Sequence, residues 1–239
     1  MTRPPDEKSS PLPTAAAAEL PRHEYRLRLA GREWTVRHTG AVLTFEDEQR
    51  LLSERLTGPP YGLALWPSAI ALAHELVARA DDVRGRRVLE LGAGTGLPGI
   101  VAAALGGRVV QTDRQELALA LCRDNGARNG AASIEYRLAD WASWSDAERY
   151  DWIIGADVLY GETMHPHLRR IFETNLAPGG RVLVSDPFRK ASVEMLERME
   201  RDGWRVSMTK WTVGIAPPPR NVGVFELVRG QDLRAGGAR

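Results

Sequence analysis

The chain has 239 residues, 43% of them hydrophobic, and its 32 Lys and Arg against 31 Asp and Glu give a formal net charge of +1. This length fits one α/β domain with tails, and the charge balance excludes the overall positive field typical of nucleic-acid-binding proteins. The single cysteine, Cys122, excludes an intramolecular disulfide. We expect a cytoplasmic protein without a membrane partner, because neither a secretion signal nor an apolar span of ~20 residues is evident.

The N-terminal quarter of the chain is predicted to hold no part of the main domain. Residues 1–21 are rich in Pro, Ser and Ala, which predicts a disordered lead. Residues 22–60 are predicted to form an accessory unit. In it, alternating apolar residues over Glu24–Phe45 indicate short antiparallel strands, and Glu46–Leu56 is typical of a helix. At the other end, the Gly- and Arg-rich residues 230–239 are predicted to be a flexible tail.

From residue 61 to residue 229 the predicted strands and helices alternate, which indicates an α/β domain with a doubly wound, mainly parallel sheet. In such a sheet, ligands bind beyond the carboxyl ends of the strands, near the point where the strand order reverses. The predicted strands are Arg87–Leu91, Arg108–Thr112, Ser133–Leu138, Trp152–Ala156, Arg181–Asp186, Arg205–Lys210 and Val222–Val228. The predicted helices run from Trp66 to about Ala80 and over Gly96–Leu105, Gln115–Asn129, His165–Asn175 and Ala191–Arg201.

The segment Val88–Ile100 is predicted to run from a buried strand through a glycine turn into a helix. Gly92, Gly94 and Gly96 lack side chains, so backbone N–H groups can approach a ligand and a positive φ costs little. Within the strand, Glu90 is a carboxylate among apolar residues. The turn therefore indicates a nucleotide-like cofactor, and Glu90 favours one with a cationic end.

Two cofactors fit this turn. Residues Gly94–Gly99 also match the G-x-G-x-x-G dinucleotide pattern, with Asp113 placed where that pattern has its ribose-binding acid. However, Gly92 already ends the strand, so the pattern glycines fall one step late for NAD. A pyrophosphate would be repelled by Glu90, whereas the methionine ammonium of S-adenosylmethionine would be attracted to it. The residues favour S-adenosylmethionine and leave NAD open.

An acidic residue lies at the end of each of the first five predicted strands of the domain or shortly after it: Glu90, Asp113, Asp140, Asp157 and Asp186. Each alone could be a helix cap or a turn residue. Together they predict a ligand-binding edge, in which Asp113 accepts the ribose hydroxyls and Asp140 accepts the adenine amino group. Trp141 offers an aromatic face for the adenine ring or packs in the core. No cluster has metal-ligand spacing, so no metal is expected, and His165-Pro-His167 is predicted to be a solvated turn.

Four segments carry a family resemblance: Leu65–Ser68, Val83–Gly96, Asp157–Tyr160 and Val184–Pro187. They resemble the seven-strand, Rossmann-like S-adenosylmethionine-dependent methyltransferases. Within that class they resemble the protein-lysine methyltransferase branch, in particular the electron-transfer-flavoprotein β-subunit lysine methyltransferases and their bacterial relatives. The resemblance implies an antiparallel last strand inserted beside the fifth. It also implies that Asp157 and Tyr160 lie beside the methyl donor and the incoming lysine. The predicted cofactor-binding residues are Trp66, Glu90, Gly92, Ala93, Gly94, Gly96, Asp113, Asp140, Trp141 and Ala156.

The predicted activity is methyl transfer to an amine nitrogen, with a protein lysine as the favoured acceptor. A lysine near pKa 10.4 is charged at neutral pH, so Asp157 could bind its ammonium, and the adjacent sulfonium would favour loss of its proton. Tyr160 could orient the amine. A small-molecule N-methyltransferase is the alternative and would need a closed pocket. Nucleic-acid methylation is not expected, and an NAD-binding enzyme is the least favoured reading.

Overall fold

The computed structural model of this chain describes residues 23–42, 46–47, 61–131, 133–214 and 219–230. The predicted disordered lead, the tail from residue 231 and most of the predicted helix over Glu46–Leu56 lie outside these residues. None of the described helices is long and apolar enough to cross a membrane.

The described chain begins with the predicted antiparallel ribbon. Strand β1 (His23–Leu29) pairs with β2 (Arg32–His38) across a two-residue turn at Ala30 and Gly31. Both turn residues have positive φ, 52° and 73°, as the twist of a tight hairpin requires. Leu29, Trp34 and Val36 are buried on one side of the ribbon and join the main core.

Strands and helices alternate through the main domain as the sequence predicts. The helices are α1 (Pro67–Ala78), α2 (Ala80–Val83), α3 (Leu97–Ala104), α4 (Glu116–Arg128), α5 (His165–Asn175) and α6 (Lys190–Arg201). The strands are β3 (Arg87–Leu91), β4 (Arg108–Asp113), β5 (Glu135–Leu138), β6 (Tyr150–Ala156), β7 (Leu176–Asp186), β8 (Trp204–Val213) and β9 (Arg220–Arg229).

The main sheet has seven strands in the order β5-β4-β3-β6-β7-β9-β8. Strand β9 is antiparallel to both of its neighbours, β7 and β8, and the other pairings are parallel. The prediction of a mainly parallel sheet with its last strand inserted antiparallel beside the fifth is confirmed. The strand order reverses between β3 and β6, so a ligand site is expected at the carboxyl ends of these two strands.

Strands β7 and β8 exceed their predicted lengths the most. Strand β7 begins at Leu176 rather than Arg181, because Leu176 pairs with Tyr150 before the register shifts. Strand β8 extends over ten residues because every one of them pairs with β9. Most side chains of β8 are exposed at the edge of the sheet, so the alternation that marks a half-buried strand is weak there.

The core consists of two layers, one on each face of the sheet. Successive residues of a strand point to opposite faces, so Val88 packs with α1 and α3, whereas Leu89 packs with α5 and α6. Strand β3 is buried on both faces, which explains its continuous apolar run. Glu90 is the one charged residue in that run. Cys122 is buried in α4.

Two buried asparagines, Asn125 in α4 and Asn129 at its C-cap, hold the ribbon against the main domain. Asn125 Oδ1 accepts the backbone N–H of Arg37, and its Nδ2 donates to the carbonyls of Arg37 and Thr95. Asn129 makes the same pair of bonds with the backbone of Thr35, at 3.1 and 2.8 Å. Since Thr95 belongs to the glycine turn, Asn125 joins the ribbon directly to that turn.

Candidate functional site

The glycine turn after β3 has the backbone conformation that the sequence predicts. The φ angles of Gly92, Gly94 and Gly96 are 62°, 56° and 79°. A Cβ on Gly94 would lie 2.7 Å from the carbonyl oxygen of Gly62, so the segment before α1 covers the turn closely. A Cβ on Gly92 would lie 3.1 Å from the Trp141 ring and 3.2 Å from Val158. The turn, the loop after β5 and the loop after β6 therefore meet at one point.

The carboxyl group of Glu90 lies beneath the glycine turn and is 1% exposed. Its Oε2 accepts a hydrogen bond of 2.6 Å from Gln111 Nε2, which also donates to the Gly96 carbonyl at 2.8 Å. Burial raises the pKa of Glu90 to about 8, although hydrogen bonds from Gln111 and the Gly99 backbone act in the opposite direction. The observed partners of Glu90 are thus interior groups of the protein. Its predicted contact with the methionine ammonium stays a prediction.

Asp113 ends β4 beside the glycine turn. Its Oδ2 accepts the N–H of Gly94 at 3.1 Å and its Oδ1 accepts the N–H of Gln115 at 3.0 Å. Burial raises the pKa of Asp113 above its usual value despite these bonds. Each carboxylate oxygen has a second lone pair, so the group can still accept hydroxyl donors. Close by, Gln115 Oε1 is buried and has no hydrogen-bond donor among the described residues.

Asp140 and Trp141 lie in the loop that follows β5. Asp140 is exposed, and its Oδ1 accepts the N–H of Ala142 at 2.9 Å, which caps a short 3-10 helix at Trp141–Ser143. The turn role that the sequence leaves open for this aspartate is therefore observed, and its contact with adenine stays a prediction. Trp141 is partly buried against the core and lies over Gly92.

Asp157 and Tyr160 lie in the loop after Ala156, the last residue of β6. Asp157 has a φ of 58°, and its N–H donates to Ser185 O at 2.8 Å. Its side chain is 8% exposed, and Oδ1 accepts a hydrogen bond from Arg189 Nη1. In contrast, Tyr160 is 63% exposed. The predicted acid is thus buried beside a resident cation, and the predicted aromatic faces solvent.

Trp66 is the N-cap residue of α1, and its carbonyl accepts the N–H of Ala69 at 3.0 Å. The start of this helix lies beside the end of β7, because Ser185 Oγ donates to the Ser68 carbonyl at 2.8 Å. The Trp66 segment therefore approaches the same edge of the sheet as the loop after β6.

The prediction of a solvated turn at His165 is wrong. His165 is buried at the start of α5, and its Nε2 lies 2.8 Å from the Leu159 carbonyl oxygen. Ser192 Oγ of α6 donates to the same carbonyl at 3.1 Å. The backbone between Asp157 and Tyr160 is therefore anchored by two helices.

Several residues at this edge were not predicted from the sequence. Their contacts join segments that are distant along the chain, so local patterns carry little signal for them. Arg189 is an exception, since an arginine three residues after the strand-end Asp186 is a recognisable charge pair. The residues are Gly62, Gln111, Gln115, Asn125 and Arg189.

The arrangement fits a nucleoside cofactor. Three features lie around the carboxyl ends of β3 and β4. They are the glycine turn, where a Cβ on Gly94 would fill the space, the carboxylate of Asp113, and the buried Gln115 Oε1 without a donor among the described residues. In the described part of the chain, no three His, Cys, Asp or Glu side chains cluster as a metal site would require.

A family model described as "Lysine methyltransferase" matches residues 45–202. The chain is 38% identical over 113 residues to protein N-lysine methyltransferase METTL21A of Xenopus tropicalis, covering 45% of this chain and 52% of that protein. It is 35% identical over 126 residues to histone-arginine methyltransferase METTL23 of Xenopus laevis, covering 48% of this chain and 53% of that protein. The chain thus spans about half the length of these two relatives.

Among solved structures, the fold is similar to the glycopeptide N-methyltransferase MtfA complexed with sinefungin. The TM-score is 0.56 at 16% identity, and the match covers 68% of this chain and 94% of the other. At this identity the similarity concerns the fold.

Proposed function

This chain belongs to the lysine methyltransferase family, and from that premise we propose that it transfers a methyl group from S-adenosylmethionine to a lysine side chain of a protein. The observation that carries the proposal is the convergence of three loops at one point. The glycine turn, Trp141 and Val158 lie together where the strand order reverses. The donor-binding turn and the loop proposed to receive the acceptor are therefore neighbours.

The residues around the turn hold the donor. Backbone N–H groups of the glycine turn approach it, Asp113 accepts its ribose hydroxyls, and Trp141 packs on its adenine ring. When bound, S-adenosylmethionine supplies a methyl group on a sulfonium, which needs no further electrophilic activation. The protein then has to orient a neutral amine in line with that methyl group and to exclude water.

Asp157 binds the arriving lysine as an ammonium ion and holds it at the carboxyl end of β6. Partial burial and the nearby positive charge of the donor would both favour loss of the ammonium proton to solvent water. The neutral amine would then take the methyl group as the C–S bond of the sulfonium breaks. Tyr160 packs along the aliphatic stem of the lysine. The buried position of Asp157 supports this role, since a carboxylate out of bulk water attracts a cation strongly.

The exposed Tyr160 ring supports a protein acceptor. An enzyme for a small amine would enclose its substrate, whereas a lysine on a protein enters from the surface, where Tyr160 is 63% exposed. The net charge of +1 gives no support to a nucleic-acid acceptor. The buried single cysteine is compatible with a reducing compartment, which supports a cytoplasmic location.

The test is methyl transfer from tritiated S-adenosylmethionine into a dialysed bacterial lysate, followed by gel separation and mass spectrometry of labelled bands. We expect label in a protein band, on lysine, and far less label with Asp157→Asn. Asp202→Asn is the matched control, because this aspartate pairs with Arg169 on the surface in the turn after α6. The control variant should transfer methyl groups at the wild-type rate.

Other results would contradict the proposal in distinct ways. Label only in small molecules of an undialysed lysate would favour the small-molecule N-methyltransferase. Label on arginine would favour the activity named for METTL23. Binding of NAD without binding of S-adenosylmethionine would contradict the proposal that the chain is a methyltransferase.

A further inference from the structure

Arg189 lies between two carboxylates that end neighbouring strands. Its Nη1 donates to Asp157 Oδ1 after β6 and lies 3.2 Å from Oδ2 of Asp186 at the end of β7. Its backbone N–H also donates to Asp186 Oδ1, at 2.6 Å. The side chains of Asp157 and Asp186 are 8% and 0% exposed, so this ion-pair network is largely shielded from water.

The electrostatic setting makes the pairing strong. Burial lowers the pKa of Arg189, but the Asp157 and Asp186 carboxylates outweigh this effect and raise the pKa overall. Conversely, a carboxylate buried without a cation would favour its protonated form. The guanidinium therefore places a positive charge beside the buried Asp157 carboxylate.

The same network fixes the loop that carries Asp157. Ser192 Oγ donates to Asp186 Oδ2 at 2.7 Å and to the Leu159 carbonyl at 3.1 Å. Asp157 and Phe188 have φ angles of 58° and 66°, a left-handed conformation that non-glycine residues rarely adopt and that persists only when its surroundings impose it. Both strained residues belong to turns that Arg189 connects.

We propose that Arg189 is a positioning residue for methyl transfer, holding the Asp157 carboxylate in the orientation that receives the acceptor amine. This inference rests on the proposed function. It adds Arg189 to the two residues, Asp157 and Tyr160, that are proposed to receive the acceptor. Arg189 acts through Asp157, whose carboxylate it contacts.

A double-mutant cycle tests the proposal, with initial rates of tritiated methyl transfer into lysate protein. We expect Arg189→Met to lower the rate at least 30-fold and Arg189→Lys to restore part of it, with affinity for S-adenosylmethionine unchanged within about 3-fold. In an Asp157→Asn background, Arg189→Met should lower the residual rate less than 3-fold, because residues that act as a unit are not additive. Lys190→Met is the matched control, since it removes a neighbouring exposed cation and should leave the rate unchanged.

The protonation of Asp157 provides a readout that needs no methyl transfer. Carboxyl carbon NMR of labelled aspartate, assigned with Asp157→Asn, should show the pKa of Asp157 rising by 1 unit or more in Arg189→Met. The acid limb of the pH–rate profile should move upward by the same amount. If Arg189→Met fails to fold, Arg189→Gln, which also removes the charge, carries both measurements.

The two proposals fail differently. An unchanged Asp157 pKa together with fully additive rate losses would overturn the positioning role, even if wild-type enzyme methylates lysine. If wild-type protein binds S-adenosylmethionine and methylates nothing, the proposed function fails. The NMR titration would then still decide whether Arg189 holds the Asp157 carboxylate.

Discussion

Replacing Glu90 with glutamine should make the protein more stable at high pH, whereas removing one partner of a buried ion pair usually makes a protein less stable. Glutamine has nearly the shape of the protonated carboxyl group, which is the form that burial favours at this site. Because the folded protein binds this proton more tightly than the unfolded chain, the contribution of Glu90 to stability is full below pH 4.5. It is lost as the pH rises through about 8.

The magnitude follows from the two pKa values. The rise from 4.5 to about 8 corresponds, at about 1.4 kcal/mol per unit, to about 5 kcal/mol of destabilisation when Glu90 is fully ionised. We therefore expect Glu90→Gln to match the wild type within ~1 kcal/mol at pH 5 and to be more stable by about 3–5 kcal/mol at pH 9.

Urea unfolding at pH 5, 7 and 9, followed by tryptophan fluorescence, measures these differences. Glu226→Gln is the control with the opposite sign. Burial alone would raise the pKa of Glu226, but bonds from Arg79 and Arg181 lower it overall, so this variant should lose stability at pH 7. A stability difference between Glu90→Gln and wild type that does not change from pH 5 to 9 would refute the reasoning.

The same variant tests the predicted contact between Glu90 and the methionine ammonium. If the contact is direct, Glu90→Gln should lose at least 10-fold in affinity for S-adenosylmethionine, measured by isothermal titration calorimetry at pH 9. If the carboxyl group only supports the turn from beneath, the affinity should change less than 3-fold.

Three further predictions follow from the site. Gly94→Ala places a Cβ 2.7 Å from Gly62 O at a φ of 56°, so it should lower affinity for S-adenosylmethionine at least 10-fold in a calorimetric titration. An affinity within 3-fold of wild type would show that the turn can relax. Asp113→Ala should abolish measurable donor binding, whereas Asp157→Ala should keep it within 3-fold and lose methyl transfer; equal binding losses would contradict this division of roles. Asn125→Ala should cost about 2–3 kcal/mol in urea unfolding, since it leaves buried backbone groups unsatisfied; a cost under 0.5 kcal/mol would contradict this tie.

The sequence predicted the sheet well because most of its strands are defined by local patterns. Strand β3 ends at the glycines of the turn, and Val88, Leu89 and Leu91 mark it as a buried strand within five residues. Strand β8 was predicted too short because its pairing with β9, and not burial, defines its ends. The family resemblance supplied the antiparallel insertion of β9, which no local pattern indicates.

The site was predictable in outline for a topological reason. Carboxyl ends of neighbouring parallel strands meet at one edge, so acids that follow strands come together whatever their partners are. Their partners depend on tertiary packing. Nothing local indicates that Asn125 reaches the backbone of Arg37, 88 residues earlier, or that Glu90 turns to Gln111.

The hydrogen bonds from Asn125 and Asn129 to the backbone of the ribbon bear on the order in which the chain folds during synthesis. The ribbon leaves the ribosome before α4, because the hydrogen bond between Thr35 and Asn129 joins residues 94 positions apart. At about 5–20 residues per second, the ribbon waits roughly 5–20 s for its binding helix. During that interval its strands have only each other, and an isolated hairpin is marginally stable. The ribbon is therefore secured against the main domain only after the end of α4 has been made.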